Sequence, residues 1–233
     1  KLDPAHIDDV IIGCAMPEGA QGLNMARVIA LRAGLPVDVP GQTVNRFCSS
    51  GLQTIALAAN SIIANQADIV IAGGAESMSS VPMTGHHFSP NPHMAEHAPN
   101  VYMSMGLTAE RVASEYGVLR EDMDAFAYQS HRKAAAAVDA GKFAEEIVPF
   151  EWDETIIDSD GLPTTVHHKL DQDEHLRRET TIEALAGLSP VFKRGGAVTA
   201  GNASPLSDGA AGVIMMSREK ADMLGLTPLA RFV

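Results

Sequence analysis

The chain has 233 residues, 45% of them hydrophobic and 20% charged, with a formal net charge of −12. That length suffices for one large or two modest domains with a real core, and the acidic balance argues against nonspecific binding to nucleic acid or anionic membranes. No apolar run reaches the roughly 20 residues that span a bilayer, and two cysteines, Cys14 and Cys48, point to a reduced, cytoplasmic setting rather than a disulfide framework.

Lys1 is not an initiator methionine and no signal-peptide pattern follows, so the chain is expected to begin inside a longer protein. Asp9 to Cys14 reads as a short buried strand. Gly22 to Ala33 reads as a helix with Gly34 as its stop and Pro36 beyond. Next comes a strand-like segment, Gln42 to Phe47, that turns at Asn45-Arg46-Phe47-Cys48-Ser49-Ser50-Gly51 into an apolar run to Ala64. Leu52, Ile55, Ala56, Ala59, Ile62 and Ile63 fall at the spacing of a buried helix. A thiol at that junction meets the positive end of the helix macrodipole and free backbone N–H groups. Both favour the thiolate, the nucleophilic form, which makes Cys48 a candidate covalent catalyst. Its bland alternative is a small buried residue at a tight helix start.

Asp68 to Ala72 is a continuous apolar strand, and its alternation with helices implies a parallel sheet covered on both sides. Gly73 to Ser79 follows. Neither GxGxxG nor GxxxxGK[ST] is present there, so a phosphate loop ranks behind a structural reading in which Glu76 is a buried carboxylate accepting from backbone N–H groups. From Pro82 to Met105, prolines are expected to break any regular element. His86, His87, His93 and His97 match no standard zinc spacing there, and a surface or subunit-contact loop is preferred. Two helices follow, Thr108 to Tyr116 and Glu121 to Ala140, the second presenting Met123, Phe126 and Ala127 on one face before Gly141. Glu145 to Phe150 is expected as a strand and Asp153 to Glu174 as a polar, acid-rich excursion. Arg177 and Arg178 either neutralise Asp171, Asp173 and Glu174 or contact a phosphate.

Gly195 to Pro205 is small and flexible, able to lie against a ligand. Asp208 to Met216 enters another buried strand, with Ser217 capping a helix to Leu224 and Gly225 ending it. Leu229 to Val233 is strand-like. The expected organisation is a discontinuous core, residues 1–82 plus 195–233, with an inserted domain at 83–194.

The Asn45–Gly51 stretch resembles the nucleophile motif of thiolases, the acetyl-CoA acetyltransferase and 3-ketoacyl-CoA thiolase family. The resemblance continues through Gly73–Ser79, Ser104-Met105-Gly106, Thr108-Ala109-Glu110, Glu145–Pro149, Val198–Ser204 and Asp208–Ala211 in family order. It implies an α/β fold: a layered αβα core with a mixed, mostly parallel sheet, interrupted by a mainly helical loop domain that binds CoA and mediates oligomerisation. It also implies an acyl-CoA C-acyltransferase of fatty-acid metabolism in which Cys48 carries the acyl group. Met105 would line the substrate pocket, Arg177 would meet the CoA nucleotide, and Ala200 and Ser204 would contact the pantetheine arm. No tightly bound cofactor or metal is implied; coenzyme A enters as substrate, and a homodimer or homotetramer is expected. The family's Asn-Glu-Ala-Phe, Gly-His-Pro and second Cys-x-Gly motifs do not occur in these residues, and Pro205 stands where a glycine is common. They supply the oxyanion-hole asparagine, the activating histidine and a second acid/base cysteine. Residues 1–233 are therefore expected to represent the N-terminal portion and to be inactive alone. The alternative is a non-catalytic thiolase-like module that binds acyl-CoA or assembles with another subunit.

Overall fold

The computed structural model describes residues 2–233. In chain order its elements are β1 (Asp9–Gly13), α1 (Met25–Arg32), β2 (Gly41–Val44), α2 (Ser50–Ile63), β3 (Ile69–Glu76), α3 (Pro92–His97), α4 (Met105–Tyr116), α5 (Arg120–Asp139), β4 (Phe150–Ile157), β5 (Pro163–Leu170), α6 (Ile182–Ala186), β6 (Gly209–Met216) and α7 (Arg218–Met223). They divide into two compact units, 1–90 with 206–233, and 91–205. Among the described residues, no helix is long and apolar enough to cross a membrane.

The first unit is built on a four-stranded sheet in the order β2-β1-β3-β6. β1 pairs in parallel with both β2 and β3, while β3 pairs with β6 antiparallel, Ile69 opposite Met216 and Glu76 opposite Gly209. Strand alternation splits the core between two faces. Val10 and Ile12 of β1, with Cys14 just past its end, pack with Met25, Ala26 and Ala30 of α1. Ile11 packs with Val70, Ala72 and Ala58 of α2 on the opposite side. Each of the larger apolar side chains so buried contributes about 1.5–3 kcal/mol. The sheet is thus mixed, mostly parallel, and layered between helices.

Several expectations for this unit change. β3 does not end at Ala72 but runs through Gly73 and Gly74 to Glu76. A Cβ on Gly73 would lie 2.2 Å from the Ala211 carbonyl oxygen, so this glycine serves strand-to-strand approach and not a phosphate loop. α2 buries Ser50, Thr54, Ala58 and Ala59, while Leu52 and Ile63 of the expected apolar stripe are exposed. β6 is largely exposed rather than buried, and 229–233 form no strand. Ser217 does cap α7, its Oγ accepting from Lys220 N–H at 3.1 Å, and Gly225 turns the chain at φ 65°.

The second unit contains α3 to α6 and a two-stranded antiparallel ribbon, β4–β5. Pro92 and Pro99 do not break structure; each opens a short helical element, where its missing N–H is no loss. In α5 the buried residues are Asp124 and Ala135, and Phe126 is 79% exposed, contrary to the expected apolar face. Residues 145–149 are turn and irregular; the strand begins at Phe150. The acid-rich segment is no loose excursion but forms most of the hairpin, closed where Asp158 Oδ1 accepts from the N–H groups of Asp160 and Leu162, both at 2.9 Å, and Gly161 takes φ 77°.

Candidate active site

Cys48 belongs to the first unit, and Met105, Arg177, Ala200 and Ser204 to the second. The Cys48 site begins where β2 stops at Val44 and ends where α2 starts at Ser50. Between them Phe47 adopts φ 46°, a left-handed conformation that costs a non-glycine residue about 1–2 kcal/mol. Local hydrogen bonds hold it there. Asn45 Oδ1 accepts from Phe47 N–H at 2.9 Å. Ser50 Oγ accepts from Arg46 N–H at 2.8 Å and donates to the Phe47 carbonyl at 2.6 Å. The result is a tight strand-to-helix turn with Cys48 exposed at its tip.

Glycines let that turn sit against the sheet. A Cβ on Gly13, at the end of β1, would come within 2.5 Å of the Ser50 carbonyl carbon. Fully buried Thr54 places its hydroxyl between the carbonyls of Gly51 (2.7 Å) and Gly73 (2.9 Å), tying α2 to β3. The arrangement presents a free thiol at a helix N-terminus on a backbone anchored from behind. Such a group can attack an electrophilic carbonyl delivered from solvent.

Glu76 accepts from the N–H groups of Ala15 (2.6 Å) and Met16 (3.3 Å) and from Gln21 Nε2 (2.8 Å). This is the structural carboxylate expected from the sequence, though it is half-buried rather than fully enclosed. Cys14 lies beside it, Sγ 3.7 Å from Oε1. Burial, and then the neighbouring negative charge, push the Cys14 thiol up to about 11.

In the second unit Met105 opens α4 and is 62% exposed, after the N-cap Ser104. The adjacent Gly106 faces the Phe192 ring so closely that a Cβ would stand 2.3 Å from it. Ala200 is exposed on a loop whose neighbours are firmly held: Glu110 accepts from the N–H groups of Ala197 and Val198 at 2.8–3.0 Å, and Thr199 is fully buried. Asn202 donates to the Ala197 carbonyl (3.0 Å) and to buried Asp124 (2.9 Å), which also pairs with Arg120 at 2.7 Å. Ser204 lies exposed beyond this network.

Arg177 is exposed, and its backbone N–H donates to His131 Nδ1 at 3.2 Å. Arg178 pairs with Asp139 at 2.7 Å, while Asp171 is met by Lys169, so neutralisation of Asp171 by the two arginines, one of the two alternatives read from the sequence, does not occur. Arg178 lines a groove of about 300 Å³ with Arg132, Ala135, Asp139 and Glu179. Among the described residues no three His, Cys, Asp or Glu side chains gather as metal ligands; His93 and His97 instead stack at 4.2 Å on α3. Periodicity gave no hint of the Glu110 and Asp124 anchors. Glu110 falls in the Thr108-Ala109-Glu110 block, but its role shows only in the structure, where it also stands so close to Gly196 that a Cβ there would meet its Oε1 at 2.2 Å.

Comparison with known proteins gives a uniform result. The family model "Thiolase, N-terminal domain" matches residues 1–219. The chain is 58% identical to a 3-ketoacyl-CoA thiolase of Bacillus subtilis, covering 97% of this chain and 58% of that protein. It is 44% identical to an acetyl-CoA acetyltransferase of Cupriavidus necator, covering 98% and 59% respectively. The crystal structure of the Bacillus anthracis acetyl-CoA acetyltransferase superposes with a TM-score of 0.78 at 38% identity, over 98% of this chain and 58% of that one. The chain thus spans somewhat under three-fifths of the length of these relatives.

Proposed function

Because this chain belongs to the thiolase family, we propose that Cys48 is the nucleophile of an acyl-CoA C-acyltransferase, accepting an acyl group from a CoA thioester. The observation that carries this reading is the exposed thiol at the tip of the strained Asn45–Ser50 turn, on the stretch that resembles the family's nucleophile motif. Cys48 Sγ attacks the thioester carbonyl carbon. A new carbon–sulfur bond forms, the bond to CoA breaks, and CoA leaves as a thiol with the proton that Cys48 gives up. The acyl–Sγ bond then breaks as the acyl group passes to a second CoA thiol or to the α-carbon of acetyl-CoA, and the proton that acceptor loses restores the Cys48 thiol. One thioester replaces another, so the first transfer is nearly thermoneutral and reversible.

In this reading Met105 lines the acyl pocket, Arg177 meets the CoA nucleotide, and Ala200 and Ser204 flank the pantetheine arm on the Glu110-anchored loop. The substrates of the whole enzyme are CoA and acyl-CoA or 3-ketoacyl-CoA, with no tightly bound cofactor, in a cytoplasmic homodimer or homotetramer. Residues 1–233 alone turn over little, because the family's activating histidine and second cysteine motifs are absent from them.

Intact-mass measurement after incubation with acetyl-CoA tests the assignment. The expected result is a single acyl adduct on Cys48 that disappears in Cys48→Ala. Binding of acetyl-CoA without an adduct sinks the nucleophile assignment and favours a non-catalytic acyl-CoA-binding module. Separately, robust thiolysis by residues 1–233 alone would overturn their inactivity.

A further inference from the structure

We infer that Asn45 and Glu76 are positioning residues for Cys48, holding its turn in shape through a relay of hydrogen bonds; this rests on the nucleophile reading above. Phe47, immediately before the thiol, sits at φ 46°, a conformation that persists only where neighbours over-determine it. The Asn45 carboxamide is used at both ends. Oδ1 accepts from Phe47 N–H at 2.9 Å, the side-chain turn that asparagine favours, and Nδ2 donates to the Ala15 carbonyl at 2.8 Å.

Ala15 is in turn fixed from its other side. Its N–H donates to Glu76 Oε2 at 2.6 Å, and Met16 N–H donates to Oε1 at 3.3 Å. Glu76 is the last residue of β3 and is itself held by Gln21, whose Nε2 donates at 2.8 Å and whose Oε1 accepts from Ser77 N–H. The path from the end of β3 to the thiol-bearing turn therefore runs through one carboxylate, one peptide unit and one carboxamide. Asn45 is exposed and lies past the end of β2, so it adds neither core volume nor a ladder bond. What its side chain does is fix the direction in which the turn faces.

Direction matters for one reaction more than another. Acyl transfer requires Sγ to meet a carbonyl carbon held within a bulky thioester, and small misplacements lower its rate steeply. Alkylation by iodoacetamide, a small and freely tumbling reagent, requires mainly an accessible thiol. The ratio of Cys48 acylation by acetyl-CoA to its alkylation thus reports aim, whereas loss of general stability moves the melting temperature and not this ratio.

The test uses the whole chain and the variants Asn45→Ala and Glu76→Gln, with both rates followed by intact mass and the amide exchange of Phe47 followed by NMR. The acylation-to-alkylation ratio is expected to fall about tenfold in Asn45→Ala. It should fall in the same direction, by less, in Glu76→Gln, and Phe47 N–H should exchange faster in both. An acylated wild type with an unchanged ratio in both variants overturns the positioning role. A wild type that takes no acyl group defeats the nucleophile reading instead. In that case unchanged Phe47 exchange in the folded variants still overturns the relay.

Discussion

Cys14 and Cys48 lie at the ends of neighbouring elements of one sheet, yet the first is 1% exposed and the second open to solvent. At pH 8, iodoacetamide is expected to modify Cys48 in the folded chain and Cys14 only after unfolding, which peptide mass mapping resolves. Burial and the Glu76 charge raise Cys14 from 9.0 to about 11. A raised thiol favours the folded state while protonated, so its contribution is complete below pH 9 and is lost as pH rises towards 11. Denaturant midpoints should therefore fall across that window, and Cys14→Ala should flatten the fall. Asp208 has the opposite sign. Hydrogen bonds from the Ser79 hydroxyl and N–H, with a further one from Ser77, hold its carboxyl below the usual range, so its contribution is present above about pH 4 and is lost in acid. The strand-to-helix turn that carries Cys48 was legible at this scale because a short motif spans it. The anchoring roles of Glu110 and Asp124 were not, because a buried carboxylate on a helix looks like any surface one until its backbone partners are known.

The elements themselves were largely readable, with errors that have physical causes. α2 carries polar Gln53, Asn60 and Ser61 away from its apolar positions, so periodicity pointed to a buried stripe through Leu52 and Ile63. Close approach to a glycine-lined sheet selected the small residues Ser50, Thr54, Ala58 and Ala59 instead of Leu52 and Ile63. The β4–β5 ribbon was obscured because almost all of its residues are exposed, leaving no inside-outside alternation to detect. Its turn chemistry, Asp158-Ser159-Asp160-Gly161, was the overlooked signal. In the second unit, α4 anchors the 195–205 loop through Glu110. Removing that carboxylate leaves the N–H groups of Ala197 and Val198 without their acceptor. Glu110→Ala is expected to cost about 2–4 kcal/mol in denaturant unfolding and to speed amide exchange at both positions. Unchanged exchange there would show that the loop is held by something else.

For the whole molecule, alternation of strands and helices predicted a parallel, layered sheet, and three of its strands obey. The antiparallel course of β6 was beyond hydrophobic pattern, which records burial but not direction. β6 ends the sheet with Val213 and Ile214 about half exposed, an apolar strand at an edge. Residues 1–233 are expected to self-associate through it as concentration rises. Val213→Lys should reduce that association in light scattering, and equal association by the variant would acquit this edge.

The pairing of β3 with β6 also has a consequence in time. During synthesis β3 is complete once Glu76 has emerged, but its antiparallel neighbour begins at Gly209, after the whole 91–205 unit. At ~5–20 residues per second that interval is on the order of ten seconds. For those seconds a nascent chain carries a sheet whose β3 flank is vacant. Gly73 and Gly74, which have low strand propensity, lie on that flank and weaken its grip on any chance partner before the intended one arrives.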